Sequence, residues 1–212
     1  MLHSTLLALL VTLHPTQANA EESESEDTSG FEWDISLGPV LNSAIVMNGD
    51  LAGNAAFSAG MGASGSAGFR LGERTDEGEG SVHLMLGGGA RTETPTGLIA
   101  GEASSRTYLG HLRLGGAFDA ALISNLSAQE DFEVDLLVGG GQKLSYDAEG
   151  ARLLDPSGNP VNQTVLMFGA RAQAGSNRII HLAPNLMFTF GGPDSMALPA
   201  TFAFSLSTGV SL

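Results

Sequence analysis

The sequence predicts an all-β chain, an eight-stranded antiparallel up-and-down β-barrel that crosses a membrane. Three observations lead there. The 212 residues hold 29 Gly and only 15% charged residues, against about 25% in ordinary soluble domains. From Phe31 onward bulky apolar residues recur at every second position, the period of a strand rather than a helix. No apolar run is long enough to cross a bilayer as a helix, which leaves strands as the crossing element.

The N-terminal residues precede the barrel. Residues 1–20 read as an export leader: Leu6 to Leu13 are apolar, and Ala18-Asn19-Ala20 supplies an A-x-A cleavage site. The start, Met1-Leu2-His3-Ser4, lacks the Lys or Arg usual in such leaders. Residues 21–30 follow as an acidic segment. Glu21, Glu22, Glu24, Glu26 and Asp27 repel one another and bury nothing, so a disordered, solvated tail is expected. The barrel then occupies residues 31–212.

Eight alternating segments make up that span. In strand one Phe31, Trp33, Ile35 and Leu37 alternate with Glu32, Asp34 and Ser36; in strand two Phe57, Met61, Phe69 and Leu71 alternate with Ser58, Gly62 and Arg70. Strand three sets Val82, Leu84 and Leu86 against Ser81, His83 and Met85, and strand four sets Tyr108, Leu112, Leu114, Phe118 and Leu122 against His111, Arg113 and Gly115. Strand five opposes Phe132, Val134, Leu136 and Val138 to Glu133 and Asp135. Strand six opposes Leu166, Phe168 and Ala170 to Gly169, Arg171 and Gln173. Strand seven carries Ile180, Leu182, Leu186, Phe188 and Phe190 opposite His181 and Asn185; strand eight carries Phe202, Phe204, Leu206, Val210 and Leu212 opposite Ser205 and Ser207. Long connections near 42–54, 92–104, 142–162 and 191–199 alternate with tight ones near 73–79, 124–130 and 175–177, as in barrels with long external loops and short periplasmic turns. Turn residues such as Asn48-Gly49-Asp50 and Pro156-Ser157-Gly158-Asn159-Pro160 fall in the long set.

Period two leaves the sense of the barrel open, since a secreted soluble lipocalin-like barrel with a small apolar ligand in its lumen shows the same alternation inverted. Composition favours an apolar outside. The other face is mostly Gly, Ser and Ala with few charges, too few for a soluble exterior. Aromatic residues also collect near strand ends: Phe31, Trp33, Phe69, Phe118 and Phe132 toward one rim, Phe57, Tyr108, Phe188, Phe190, Phe202 and Phe204 toward the other. Two aromatic girdles are what lipid interfaces select.

With that sense, parity turns Glu32, Asp34, Arg70, His83, His111, Arg113, Glu133, Asp135, Arg171 and His181 into the bore. Charges in so narrow an interior are costly unless paired, so they form either a salt-bridged plug or the lining of a minor, ion-selective pore. The inward histidines carry no metal-ligand spacing and fall at different heights by strand position, so no metal site and no cofactor are expected. Gly60-Met61-Gly62-Ala63-Ser64-Gly65 matches the dinucleotide fingerprint in letters, but it lies inside a strand with no helix after it. Gly87-Gly88-Gly89 and Gly139-Gly140-Gly141 read as bends or close packing in a curved sheet.

The pattern over residues 31–212, with a final alternating strand ending at Leu212 where most relatives end in Phe, resembles the small eight-stranded bacterial outer-membrane proteins, the class typified by outer membrane protein A. The resemblance implies a Gram-negative outer membrane, contact with the bilayer and lipopolysaccharide, insertion by the barrel assembly machinery through the C-terminal strand, and a monomer. Some barrels of this size are lipid-modifying enzymes, and His181-Leu182-Ala183-Pro184-Asn185 resembles the H-x-S-N run of the lipid A deacylases. Ala183 stands where the nucleophilic Ser would be, so no catalytic site is expected. The sequons at Asn125 and Asn162 matter only on a eukaryotic secretory route. Nine Lys and Arg against 23 Asp and Glu exclude nucleic acid as a partner, and the absence of Cys excludes thiol chemistry. Asp50, Glu93, Glu102, Asp147, Glu149, Asp155 and Asp194 are expected on external loops as an acidic recognition surface, either bridged to lipopolysaccharide by divalent cations or met by a basic partner.

Overall fold

The computed structural model describes residues 26–27, 30–75, 78–119, 131–174, 180–194 and 196–211. The expected leader over 1–20, residue Leu122, the turns at 124–130 and 175–177, and Leu212 lie outside them. Eight long strands follow in order: β1 (Gly30–Val46), β2 (Ala55–Thr75), β3 (Gly78–Glu93) and β4 (Ser104–Asp119), then β5 (Asp131–Tyr146), β6 (Asn162–Ala174), β7 (Ile180–Phe190) and β8 (Thr201–Ser211). Each pairs antiparallel with the next. The first and last strands then pair with each other, from Ser36 opposite Ser211 to Val46 opposite Thr201. Over that span closure leaves no open edge, the requirement for a sheet in contact with lipid.

The strands outrun the alternation read from sequence. Asn42–Val46 and Gln142–Tyr146, placed in loops above, continue β1 and β5. The first three long joins shrink to 47–54, 94–103 and 147–161, the fourth spans 191–200, and all are gathered at one end, here the loop end. At the opposite, turn end, β2 runs past the start of β1, and the acidic segment uses the ladder groups this leaves over. Glu26 pairs with Arg74 and Asp27 with Glu73, and Gly30 already belongs to β1. These residues of the expected disordered tail are therefore sheet, because backbone pairing with β2 outweighs the repulsion of their side chains; the other residues of 21–29 lie outside the described set.

Two prolines sit inside strands, and both fall where a ladder is interrupted. The β1–β8 register skips from Leu37 to Val40 around Pro39, and the β6–β7 register skips from Asn185 to Leu182 around Pro184. A residue without an N–H is tolerated only where no bond is due.

The barrel has its apolar face outside. Phe69 and Leu136 are each 66% exposed, whereas Arg113 is 2% and Asp135 0% exposed. A lipocalin-like sense, with Phe and Leu lining a ligand cavity, is thereby excluded. Of the girdle residues, Phe31 and Phe69 meet edge to face with ring centroids 5.7 Å apart near the turn end, with Trp33 exposed beside them. Phe188 and Phe202 pair at 4.8 Å near the loop end, and Phe57, Tyr108, Phe190 and Phe204 are exposed there. Phe118 and Phe132 face each other in the backbone register of β4 and β5, and their side chains lie outside the described set.

Candidate functional site

The register explains why charges scattered over the sequence meet inside. Arg70, His83, Gly115, Asp135 and Arg171 lie directly opposite one another on five consecutive strands, β2 to β6. All face the bore. Gly115 leaves a gap between His83 and Asp135, and the Asp135 carboxylate lies across it, with Oδ1 2.7 Å from His83 Nε2. A Cβ on Gly115 would overlap that oxygen and come within 2.7 Å of the Asp135 Cα.

Arg113, two residues from Gly115 on the same face, joins three carboxylates. Its Nε is 2.8 Å from Asp135 Oδ2, its Nη2 is 3.2 Å from Glu133 Oε1, and its Nη1 donates to Asp34 Oδ2. Arg171 Nη1 donates to the same Asp34 oxygen at 3.1 Å. Arg70 bridges Glu133 at 2.7 Å and Glu32 at 2.7 Å and donates to Ser81 Oγ at 2.6 Å. Glu32, at the turn end, is the most exposed of these side chains. The arrangement keeps each buried guanidinium against carboxylate oxygen, which is what makes so much charge tolerable in a low dielectric.

The three histidines named from sequence stand at three heights. His83 belongs to the row just described, His181 faces Gln173 one row nearer the turn end, and His111 lies opposite Gly87 and Gly139 toward mid-bore. They do not form a common ligand set. Among the described residues, His83, Glu133 and Asp135 do place ligand-type atoms within 4.8 Å of one another. Arg70 and Arg113 already occupy the carboxylate oxygens of that trio, so its chemistry is ion pairing. His181 is buried in the bore with Ala183 beside it on the same face, so the H-x-S-N likeness brings no hydroxyl to an imidazole.

Ser66 Oγ and His111 Nε2 are 3.0 Å apart. This hydroxyl–imidazole pair was not anticipated, and its signal lay in Gly87, where a Cβ would meet His111 Nε2 at 2.5 Å and Ser66 Oγ at 2.6 Å. Both groups are buried, beside a cavity of about 110 Å³ lined partly by Ser36, Ser64, His111, Arg171 and Asn185. That volume is well under the roughly 300–1,000 Å³ of small-molecule sites, and it suits a few waters rather than an acyl chain.

Toward the loop end the bore changes character. Arg91 Nε is 2.5 Å from Glu93 Oε1, and Arg91 Nη1 reaches across to Ser205 Oγ at 3.1 Å. Beyond it Ala44, Ala56, Val165, Met167, Met187 and Ala203 close an apolar ring, with Leu98, from the 94–103 loop, packed on it. Sequence reading placed only small residues and compensated ions in the bore and missed this layer, because Met and Val on the inward parity look like ordinary strand residues.

Three of the acids assigned to an exposed loop surface are buried instead. Glu93 Oε2 accepts from Ser58 Oγ at 3.1 Å, and Glu102 Oε1 accepts from Ser145 Oγ at 2.7 Å with Lys143 Nζ at 3.5 Å. Asp155 turns back on its own loop and accepts from the backbone N–H groups of Ser157 at 2.9 Å and Asn159 at 2.6 Å. Burial demands partners, and each carboxylate found them locally. Asp50, Glu149 and Asp194 remain exposed, and Asp147 is half-buried.

No protein-family model matches the chain, and no curated protein matches it. Among solved structures it is similar to Neisserial surface protein A, with a TM-score of 0.42 and 12% identity over 86% of this chain and 98% of that one. It is also similar to Ail, the attachment invasion locus protein of Yersinia pestis, at a TM-score of 0.36 and 11% identity, covering 87% of this chain and 100% of that one. A second Ail structure, in complex with the heparin analogue sucrose octasulfate, gives 0.35 and 12% over 85% and 97%. The chain is a closed eight-stranded antiparallel β-barrel. Its own strand pairing establishes this.

Proposed function

We propose that this barrel is an integral protein of a Gram-negative outer membrane, monomeric, exported before insertion, with a structural and surface-recognition role and no catalytic site. One observation carries the reading: the outer wall is apolar on every strand, while charges and hydroxyls are turned inward and paired. Phe57, Leu71, Leu86, Leu136 and Ile180 stand on that wall with most of their surface open. Exposed apolar area on this scale is untenable in water and ordinary in lipid. The reading also supplies the partners: bilayer lipid around the wall, lipopolysaccharide at the loop end near Asp50, Glu149 and Asp194 with divalent cations between, and the assembly machinery at β8, which shows Phe204 and Val210 outward.

Cell fractionation tests it. The chain should stay in the outer-membrane pellet after carbonate washing and migrate faster on gels before boiling than after; recovery in the soluble fraction would sink the proposal. Leu86 sits at mid-strand on the outer face. Leu86→Arg should cost about 2–4 kcal/mol in bilayer unfolding titrations, whereas in a soluble barrel the same exposed change would be near neutral.

Filling of the bore by the charge network and the apolar ring supports a plug over a pore. Planar-bilayer recordings should show no sustained conductance. A stable ohmic step would restore the pore reading.

A further inference from the structure

We propose that Arg106, Tyr146 and Arg152 form an anion site on the outer rim of the loop end, and that it takes the phosphate group of a phosphorylated membrane lipid. The inference rests on the outer-membrane reading, because it is the bilayer that brings such phosphates to this height.

The site is built by β4, β5 and the first turn of the 147–161 loop. Tyr146 ends β5, and the chain then doubles back: Asp147 N–H donates to the Ala151 carbonyl at 3.0 Å, and Gly150 takes a left-handed φ of 80°. Asp147 Oδ1 accepts from the Ala151 N–H at 2.8 Å and holds the turn. Arg152 is thereby paired in the backbone with Tyr146. Arg106 comes from the neighbouring strand, where Ser104 faces Tyr146. The Arg106 guanidinium carbon lies 4.6 Å from the Tyr146 ring centroid, and that of Arg152 lies 5.7 Å from it. One ring thus carries both cations.

Their want of a counter-charge sets them apart. Arg70, Arg91, Arg113, Lys143 and Arg171 each meet a carboxylate inside the bore. Among the described residues, neither Arg106 nor Arg152 has a carboxylate within ion-pair distance. Nε and Nη2 of Arg152 are also shielded from solvent with no hydrogen-bond partner. Asp147 and Glu149 lie in the same turn, but Asp147 Oδ1 accepts from the Ala151 N–H and neither carboxylate comes within ion-pair distance of either guanidinium. Two guanidiniums on one ring, neither met by a carboxylate, favour an anion nearby, and their planar forks match phosphate oxygens in bidentate fashion.

Height selects the source of the phosphate. Arg106 shares the outward face of β4 with Tyr108, two residues below it, which at about 3.4 Å per residue along a strand tilted about 40° is roughly 5 Å of height. Tyr108 belongs to the aromatic girdle that marks the edge of the hydrocarbon. The site therefore lies outside the wall, just above the apolar belt, at the level of lipid headgroups rather than over the mouth of the barrel.

The test uses the full chain refolded in maltoside micelles, with three probes: diphosphoryl lipid A in mixed micelles, the same lipid stripped of phosphate, and inorganic phosphate alone. Calorimetric titration should show binding of the phosphorylated lipid at least about tenfold tighter than of the stripped lipid. The double variant R106Q/R152Q should lose at least about tenfold in affinity, and Tyr146→Leu, which keeps both charges, should lose less. Inorganic phosphate that competes weakly would show the shared chemistry with the lipid as the preferred source. Inorganic phosphate that binds as tightly as the lipid would overturn the assignment to lipid. Equal binding by wild type and double variant would overturn the site. Both proteins are checked for heat-modifiable migration and outer-membrane sedimentation, so a correctly inserted variant that binds like wild type removes the site and leaves the membrane reading standing.

Discussion

Replacing Arg113 by methionine is expected to destabilise the barrel by about 3–5 kcal/mol, the usual cost of removing one partner from a buried ion network. Methionine keeps much of the volume and removes the charge, so the loss is electrostatic. Asp34, Glu133 and Asp135 all contact this one guanidinium, and Glu133 and Asp135 are among the most deeply buried groups in the chain. Arg70 and His83 remain to share the burden, which is why folding should be weakened rather than abolished. Urea titration in micelles, read by loss of heat-modifiable migration, gives the number. A compensated variant sharpens the argument: R113M/E133Q/D135N removes the orphaned charges as well and should recover most of the loss, since a neutral, well-filled interior can match a buried ion cluster. A single variant within about 1 kcal/mol of wild type would mean that water, not Arg113, balances the acids.

Gly115→Ala is expected to do comparable damage by a steric route, about 3 kcal/mol or more, at the upper end of over-packing. The added methyl would collide with the Asp135 carboxylate and with the Val134 carbonyl oxygen of β5. One of the colliding groups is backbone, so rotamer changes cannot relieve it. The carboxylate would be driven off His83 at the same time, coupling the sheet to the network. Gly30→Ala is the internal control, because nothing lies within 4 Å of a Cβ there, and surface changes of that kind stay within about 0.5 kcal/mol. The measurement is the yield of heat-modifiable barrel on refolding together with its unfolding midpoint. Equal behaviour of the two glycine variants would show that the close approach at Gly115 is not obligatory.

The two glycines show how far a strand pattern can be read. In the linear chain Gly30 closes the acidic segment and Gly115 is simply a residue of an alternating one, and nothing nearby in sequence marks Gly115 as the gap across which Asp135 meets His83. The ten charged and histidine residues assigned to the bore could be named because each keeps the inward parity of its own strand. Arg91 and Glu93 keep the same parity beyond His83, Met85, Gly87 and Gly89, and extending the period would have found them. Glu102 and Asp155 carry no such mark. They lie in loops, where side-chain direction depends on the hydrogen bonds of the returning chain, and both turn inward.

Alternation is a property of residues two apart, so it assigns faces, strand number and an antiparallel closed sheet from the chain alone; low charge and girdled aromatics add which face turns outward. Partnership is a property of segments far apart. The opposition of Arg70, His83, Asp135 and Arg171, the apolar ring above them and the two arginines on Tyr146 all depend on inter-strand register and on how one loop doubles back. Those are set by closure of the whole barrel, where shifting a strand by a single residue would turn every inward group out.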